Sequence, residues 1–331
     1  MKRFRVLVTR QPLGNSLDRL EKIAEVRLNR EDRPMTMEEI LEGVKDCDGL
    51  ISLPYDRVDG ELMDASGRLK VISNHAVGYD NIDVEAATKR GIMVTNTPDV
   101  LTETTADLAW ALILATARRL TEAERYLRDG RWESWSPSLL VGTDVHGRVL
   151  GILGMGRIGA AVARRAQGFR MKVLYSDVFR NEKAEKELGI EYADLKRVLK
   201  ESDFVSVHVP LMPSTHHFIG ERELNQMKRS AIIVNTSRGP VVDEMALYRA
   251  LNERRIAGAG LDVFESEPID QENPLLRLDN VVLVPHIGSA SRDTRIAMGD
   301  LAVENMMAAL RGRIPPSLVN RELLKTKPLS G

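Results

Sequence analysis

The chain has 331 residues, which is longer than one average domain and enough to bury a core in each of two. Its 47 Lys and Arg residues balance 48 Asp and Glu residues, so the net charge of -1 provides no basic field for nucleic acid or an anionic membrane surface. A single cysteine, Cys47, excludes an internal disulfide, and the opening MKRFRVLVTRQ lacks the apolar segment of a signal peptide. We therefore predict a cytoplasmic protein with small-molecule partners, no nucleic acid and no membrane.

Short β-branched segments alternate with helix-period segments along the chain, as in βαβ units with parallel sheets. The first set of predicted strands is RVLVT (5–9), GLIS (49–52), KVIS (70–73) and MVTN (93–96). One long helix, TETTADLAWALILATARRLTEAERYLRDG, is predicted from Thr102 to a stop at Gly130 and joins this set to a second. The second set is more hydrophobic and consists of VLGILG (149–154), KVLYS (172–176), FVSVHV (204–209), IIVNT (232–236), GAGLDVF (258–264) and VVLVP (281–285). A final helix, RDTRIAMGDLAVENMMAALRG, is expected to return the chain to the first domain.

A glycine motif follows the first strand of the second set. Gly154, Gly156 and Gly159 form G-x-G-x-x-G at the start of an Ala-rich helix. The first glycine permits a tight turn, the second lets the backbone approach a pyrophosphate, and the third lets helix and strand pack closely. Arg157 and Ile158 then lie beside the phosphates. A purely structural turn is the alternative, and the strand and helix around the motif favour a dinucleotide loop.

An acidic residue, Asp177, ends the next predicted strand, 18 positions after Gly159. A carboxylate there can accept hydrogen bonds from both ribose hydroxyls and repels the 2′-phosphate of NADP. The sequence therefore favours NAD(H) as the cofactor. Arg180, three residues further on, leaves NADP(H) open, and a turn-capping role is the alternative for Asp177.

Arg238, Glu267 and His286 each come after a predicted strand of the second set. Open α/β sheets bind ligands at the carboxyl ends of their strands, so the three side chains can face one crevice. A guanidinium can hold a substrate carboxylate in a planar fork, and an imidazole paired with a carboxylate can keep a proton for delivery. Taken singly, each residue could equally be a solvated arginine, a loop acid or a turn histidine.

The remaining histidines give weaker signals. His216 and His217 lack the ligand spacing of a metal site and are expected at the surface, so no metal is predicted. His75 is a candidate for lining the substrate cleft without reacting.

Seven segments make the chain resemble the D-isomer specific 2-hydroxyacid dehydrogenase family, and most closely its glyoxylate/hydroxypyruvate reductase branch. They are AVGYDNID, TADLAWALILATARR, GILGMGRIG, HVPL, NTSRGPVVDE, GAGLDVFESEP and PHIGSA, and they cover nearly the whole chain. The resemblance implies that Arg238 binds the substrate, that Glu267 orients and charges the imidazole, and that His286 donates the proton. It also implies that the backbone at Val77 and Gly78 grips the substrate carboxylate.

Further site residues and a partner follow from the same resemblance. Ser289 is implied to lie near the substrate. The positions implied to contact the cofactor, besides the glycine loop and Asp177, are Pro210, Thr236, Ser237, Arg238, Asp262, His286 and Gly288. The long helix after residue 101 is implied to build a homodimer.

The resulting expectation for the fold is α/β, with two doubly wound parallel-sheet domains and a cleft between them. Residues 101–287 are expected to form an NAD-binding Rossmann domain. Residues 1–100 and 288–331 are expected to form a discontinuous, flavodoxin-like substrate domain.

The expected function is NAD(P)H-dependent reduction of a short 2-oxo acid, glyoxylate or hydroxypyruvate, to the D-2-hydroxy acid. Hydride would come from nicotinamide C4 and the proton from His286. A 2-ketogluconate reductase or another D-2-hydroxyacid dehydrogenase is the alternative among enzymes, and an NAD(H)-sensing binding protein is the alternative outside them. Formate dehydrogenases carry Gln where Glu267 stands, and phosphite dehydrogenases carry Lys where Val77 stands, so both are disfavoured.

Overall fold

The computed structural model describes residues 4–326, and the chain divides into two compact units. Unit 1 is Met1–Leu101 with Ser289–Gly331, and unit 2 is Thr102–Gly288. Each unit is built on one parallel sheet with helices against it. The expected α/β fold class with two parallel-sheet domains is therefore confirmed.

The elements follow one another in strand and helix alternation. The first part of the chain contains β1 Phe4–Val8, α1 Ser16–Glu21, β2 Ala24–Leu28, α2 Met37–Val44, β3 Gly49–Ser52, α3 Gly60–Ala65, β4 Val71–Asn74, α4 Val84–Lys89 and β5 Met93–Thr95. The middle contains α5 Thr102–Ala117, α6 Leu120–Arg128, β6 Val149–Leu153, α7 Arg157–Ala166, β7 Lys172–Ser176, α8 Glu182–Leu188, β8 Glu191–Tyr192, α9 Leu195–Glu201 and β9 Phe204–Val207. The remainder contains α10 Glu221–Leu224, β10 Ile232–Asn235, α11 Glu244–Asn252, β11 Gly258–Leu261, β12 Val281–Leu283, α12 Arg292–Leu310 and α13 Leu323–Thr326.

The sheet of unit 1 has the strand order β2-β1-β3-β4-β5, and every pair is parallel. This is the flavodoxin-like order 2-1-3-4-5. The edge strand β2 was not predicted, because AEVRL is mostly half-exposed and carries no continuous apolar signal. Helix α12 packs against β3 and β4, where Met306 and Ala302 join the core around Val71. The Ser73 hydroxyl donates a 2.9 Å hydrogen bond to the Ala302 carbonyl within this contact.

The sheet of unit 2 has the order β12-β11-β10-β9-β6-β7-β8, and it is also parallel throughout. Counted within the unit, its first six strands follow the Rossmann order 3-2-1-4-5-6. The order reverses between β6 and β9, which is the switch point where such folds bind ligands. The central strands are buried on both faces, as the Val- and Ile-rich segments predict. The two-residue strand β8 was not predicted because its residues are polar or exposed.

The single long helix predicted up to Gly130 is wrong. The chain instead forms α5 and α6, which are separated at Arg119, whose φ of 53° lies in the left-handed region. Helix α5 packs closely on the sheet, since a Cβ on Gly260 would lie 2.9 Å from the Cβ of Leu112. Helix α6 has no buried residue. The Arg119 guanidinium donates to both oxygens of Glu122 at 2.8 and 2.7 Å and holds the turn, a contact that helical periodicity does not reveal.

Two further features concern membranes and the cysteine. Among residues 4–326, none of the helices combines the length and the apolar character needed to cross a bilayer. The thiol of Cys47 is free and fully buried, and burial raises its pKa above the usual value.

Candidate active site

The glycine loop joins β6 to α7 at the switch point of unit 2. Gly154 has a φ of +94°, and a Cβ there would lie 2.8 Å from the carbonyl carbon of His208. A Cβ on Gly159 would collide with the Gly154 carbonyl, so strand and helix can pack only through glycine. Gly156 is different, because among the described residues no heavy atom beyond its chain neighbours and its own helix lies within 4 Å of where its Cβ would be. It is the N-cap of the ten-residue helix α7, so an anion can approach the open backbone and the helix N-terminus there.

Asp177 follows β7 and lies against this loop. Its Oδ2 accepts a 2.6 Å hydrogen bond from the backbone N–H of Met155. The carboxylate is therefore placed where the ribose of a dinucleotide on the loop would lie. The open backbone of Gly156 and the carboxylate of Asp177 together fit a nicotinamide dinucleotide.

Arg180, the residue that left NADP(H) open, is held by a carboxylate of its own. Its Nε and Nη2 donate to Oε1 and Oε2 of Glu185 at 2.8 and 2.6 Å. The Tyr175 hydroxyl donates to the same Glu185 Oε1 at 2.6 Å. These hydrogen bonds, first from Arg180 and then from Tyr175, lower the pKa of Glu185 to about 2. The sequence alone did not indicate Glu185, because its partner Arg180 lies five positions away across a turn.

Glu267 and His286 meet in a hydrogen-bonded pair. Oε2 of Glu267 lies 2.7 Å from Nδ1 of His286, and Oε1 accepts a 2.9 Å hydrogen bond from the backbone N–H of Phe264. The His286 backbone has a φ of 51°, and its N–H donates to the Asp262 carbonyl at 2.8 Å. Both side chains are partly exposed, at 24% for His286 and 17% for Glu267. Because Glu267 engages Nδ1, Nε2 is the ring nitrogen that can deliver a proton outward.

Arg238 follows β10, the neighbour of β11 in the sheet. Its Nη1 donates a 2.9 Å hydrogen bond to the Ser237 carbonyl, and Ser237 is itself fixed by Asn235. A Cβ on the next residue, Gly239, would overlap the carbonyl of Phe264, so the turn after β10 packs directly on the segment before Glu267. The three predicted residues therefore follow the adjacent strands β10, β11 and β12 at one edge of the sheet.

Two more polar groups lie at the same edge. Asp262 is 1% exposed, and its two oxygens accept backbone N–H groups from Ile287 at 2.6 Å and Gly288 at 2.8 Å. Burial is the largest influence on this carboxyl and raises its pKa to about 6. The buried Thr236 Oγ1 has no hydrogen-bond partner among residues 4–326, so it can bind a ligand group without losing an internal bond. Pro210 is exposed, and its carbonyl accepts the Thr215 hydroxyl at 2.6 Å.

The residues expected to bind substrate in unit 1 lie after β4 and before α12. Val77 and Gly78 are half-buried, and their carbonyls accept side-chain hydrogen bonds from Asn96 at 2.7 Å and Asn74 at 2.8 Å. Ser289 begins the returning segment of unit 1, and its carbonyl accepts the Ser291 N–H at 2.9 Å.

Comparison with known proteins identifies the family. Residues 110–288 match the model described as D-isomer specific 2-hydroxyacid dehydrogenase, NAD binding domain. A glyoxylate reductase of Korarchaeum cryptofilum is 57% identical over 98% of this chain and 98% of its own length. This chain belongs to the D-isomer specific 2-hydroxyacid dehydrogenase family. The expectation drawn from the seven segments is confirmed, and with it an NAD(P)-dependent oxidoreductase.

Other proteins are similar to this chain over nearly its whole length. A glyoxylate reductase of Thermococcus litoralis is 51% identical over 98% of this chain and 99% of its own. A crystal structure of a Thermus thermophilus protein has a TM-score of 0.90 at 48% identity, covering 96% of this chain and 100% of that one. The NADPH-dependent glyoxylate/hydroxypyruvate reductase of Sinorhizobium meliloti, in complex with NADP and malonate, has a TM-score of 0.85 at 38% identity, covering 96% and 97%.

The other histidines considered in the sequence either contact neighbouring side chains or are buried. Nε2 of His217 lies 2.8 Å from Oε1 of Glu265, and the His216 ring stacks on that of His217. Within residues 4–326, no cluster of His, Cys, Asp and Glu could hold a metal ion. His75 is 6% exposed, and burial, followed by the charge of Arg295, lowers its pKa to about 4.

We predict that His75 makes the protein sensitive to acid. The unfolded chain binds a proton on this imidazole below about pH 6.5, whereas the folded chain resists protonation until about pH 4, so stability is complete above the first value and falls as pH decreases toward the second. The contribution of His75 to the loss at pH 5 should be about 2 kcal/mol. His208, whose pKa burial also lowers to about 4, adds a loss of its own. Urea unfolding at pH 7 and pH 5 measures the total, and His75→Leu should lose about 2 kcal/mol less than the native protein. His146→Leu, which changes an exposed imidazole, is the control and should retain the native pH dependence.

Proposed function

We propose that the protein reduces a short 2-oxo acid, glyoxylate or hydroxypyruvate, to the 2-hydroxy acid with a reduced nicotinamide dinucleotide. The observation that carries the proposal is the 2.7 Å pair of Glu267 and His286, which lies in the same unit as the open glycine loop. The glyoxylate reductases that share about half of this sequence support the choice of substrate. A protein that only sensed NAD(H) would have no use for an imidazole oriented by a carboxylate.

The residues have distinct proposed roles. When bound, the dinucleotide supplies hydride from nicotinamide C4 to the substrate carbonyl carbon. His286 Nε2 donates a proton to the carbonyl oxygen, and Glu267 stabilises the imidazolium before transfer. Arg238 holds the substrate carboxylate and polarises the carbonyl beside it. Val77, Gly78 and Ser289 complete the proposed substrate contacts.

The cofactor contacts are proposed along the carboxyl edge of the unit 2 sheet. The backbone of the glycine loop holds the pyrophosphate. The unpartnered hydroxyl of Thr236 and the buried carboxylate of Asp262 are suited to polar groups of the nicotinamide half. The proposed set is Gly154, Gly156, Arg157, Ile158, Gly159, Asp177, Pro210, Thr236, Ser237, Arg238, Asp262, His286 and Gly288.

We propose NAD(H) as the preferred cofactor. Asp177 presents a carboxylate beside the loop, where it would repel a 2′-phosphate. Arg180 could offset that repulsion, but Glu185 already occupies its guanidinium with two hydrogen bonds. The carboxylate of Asp177 therefore disfavours NADP(H), and the guanidinium of Arg180 is already bound to Glu185.

The homodimer stays a proposal that rests on exposed apolar surface. Leu127 of helix α6 is 58% exposed, and Trp135, in the segment that follows α6, is 80% exposed. Surface of this kind is characteristic of protein interfaces. Sedimentation equilibrium should give twice the chain mass of 37.0 kDa, and a mass of one chain would contradict the dimer. The cytoplasmic location also stays a prediction.

The function is tested by following NADH absorbance with glyoxylate, hydroxypyruvate and 2-ketogluconate as substrates. We expect turnover with the first two and weaker turnover with the third. If NADH binds and none of the three acids is reduced, the proposed function is wrong.

We predict that Glu267 and His286 act as one acid-base unit. His286→Ala should lower kcat by roughly 10²- to 10⁴-fold, the usual contribution of a positioned general acid, without weakening NADH binding. Glu267→Gln keeps the shape of the side chain but removes the carboxylate that orients the imidazole, so it should also lower kcat without weakening NADH binding.

A matched control exists in the same unit. His217 pairs with Glu265 at 2.8 Å, and His217→Ala should leave kcat unchanged. The proposed roles of Glu267 and His286 fail if their variants behave like His217→Ala.

We predict that cofactor preference depends on Asp177 and Glu185 together. Asp177→Ser removes the repulsion of the 2′-phosphate and should tighten NADPH binding about tenfold relative to NADH. Adding Glu185→Gln should release Arg180 and tighten it further. Fluorescence titration of both cofactors measures the two dissociation constants. Glu187→Gln, on the same helix α8, is the control, and a native enzyme that binds NADPH more tightly than NADH would contradict this account.

A further inference from the structure

Three successive carbonyl groups in unit 1 are all turned toward the protein. The carbonyl oxygens of residues 76–78 accept hydrogen bonds, in order, from the Thr97 N–H at 2.8 Å, from Asn96 Nδ2 at 2.7 Å and from Asn74 Nδ2 at 2.8 Å. A peptide unit is planar and trans, so the N–H of the next residue points away from each carbonyl. The N–H groups of Val77 and Gly78 are therefore aimed in the opposite direction.

Nothing else in the described chain uses these two donors. Within residues 4–326, the backbone N–H groups of Val77 and Gly78 donate to no protein acceptor, and both residues are half-buried. Two neighbouring N–H groups without protein acceptors can donate hydrogen bonds to a carboxylate. Because the donors are uncharged, their direction is essential to the strength of the contact.

The loop that carries these donors is held by the side chain of Asn74, which is itself held by Asn81. Asn74 is fully buried; its Nδ2 also donates to Asn81 Oδ1 at 3.1 Å, and its Oδ1 accepts the Ser52 hydroxyl at 3.1 Å. Asn81 in turn donates to the carbonyls of Leu53 at 3.0 Å and Asp56 at 2.9 Å. Every amide hydrogen of this pair is used, so the loop has little freedom to rotate.

Asn96 holds the Val77 carbonyl and is itself held. Its backbone carbonyl accepts a 3.0 Å hydrogen bond from Nδ2 of Asn305, which is fully buried in α12. Oδ1 of Asn305 accepts the Ser317 N–H at 3.0 Å. The backbone of Asn96 is therefore held in place, and its side chain orients the peptide unit between Val77 and Gly78.

We infer that Asn96 is a positioning residue for substrate, because it fixes the direction in which the Gly78 N–H meets the substrate carboxylate. The inference rests on the proposed function and deepens it. In this role Asn96 acts through the peptide unit that it holds. An amide suits this role because its N–H can donate to the Val77 carbonyl, whereas an aspartate there would offer only acceptor oxygens.

The test uses Asn96→Ala and the isosteric Asn96→Asp, each compared with the native protein. Losing one hydrogen bond that orients the donor should raise the KM for glyoxylate and the inhibition constant of oxalate about threefold to tenfold. Asn96→Asp should have the larger effect, because it places an oxygen against the Val77 carbonyl. The dissociation constant of NADH should not change.

The control is Asn320→Ala. Asn320 is 1% exposed, and it makes three hydrogen bonds, to Thr88, Ile92 and Val94, elsewhere in unit 1. This variant should lower the unfolding temperature as much as Asn96→Ala does, but leave the KM for glyoxylate unchanged. If the two Asn96 variants keep the native KM and oxalate inhibition, or if Asn320→Ala shifts them equally, the inference is overturned.

Oxalate binding separates this inference from the proposed function. Oxalate carries the carboxylate but accepts no hydride, and its binding with NADH can be read as a rise in unfolding temperature. If the native enzyme fails to reduce glyoxylate but binds oxalate, and the Asn96 variants weaken that binding, the inference holds and the proposed function fails. If oxalate does not bind the native enzyme, the inference is wrong, whatever the outcome with glyoxylate.

Discussion

All strands within each sheet run in the same direction, and this single constraint determines where chemistry can occur. A parallel sheet brings every strand's carboxyl end to one edge, so residues far apart in sequence meet there without any direct link. In unit 2, Asp177, Arg238 and the Glu267–His286 pair follow different strands and still belong to the same edge. The glycines of the loop let strand β6 and helix α7 meet at this edge. A side chain at Gly154 or Gly159 would prevent that contact.

The acidic residues at this edge have similar chemistry but different environments. Asp262 is buried and bound by two backbone N–H groups, and its pKa is raised to about 6. Glu267 faces an imidazole, Glu185 neutralises Arg180, and Asp177 rests on the glycine loop. Carboxylates of similar chemistry can therefore be proposed for different roles, because burial and neighbours decide the properties of each.

The sequence predicted the parts of the fold that repeat a pattern. Strands buried on both faces are continuous apolar segments, and the glycine spacing and the residues at strand ends follow from the fold that those segments imply. The edge strand β2 and the two-residue β8 lack that pattern and were missed. The break at Arg119 was also missed, because it depends on the hydrogen bonds between Arg119 and Glu122 and no glycine or proline marks it.

In the candidate site, too, the residues that follow a sequence pattern were predictable, and individual side-chain contacts were not. Residue types and their place after strands indicated the Glu267–His286 pair. The hold of Glu185 on Arg180 and of Asn96 on the Val77 carbonyl could not be foreseen, because each depends on which side chains a turn brings within about 3 Å. Short-range hydrogen-bond partners at loops are thus the main content that the structure adds to the sequence.

The discontinuity of unit 1 has a consequence for the order of folding on the ribosome. Helix α12 supplies part of the core on β3 and β4, yet residues 102–288 are synthesised before it. The nascent sheet of residues 4–95 must wait for that helix with one apolar face uncovered, while unit 2 already has its complete sequence. Domains emerging from the ribosome generally fold as units, and exposed apolar faces are the surfaces on which chaperones act and aggregation begins. Unit 2 is therefore expected to fold first, and the dependence of newly made chain on chaperones should centre on the N-terminal sheet.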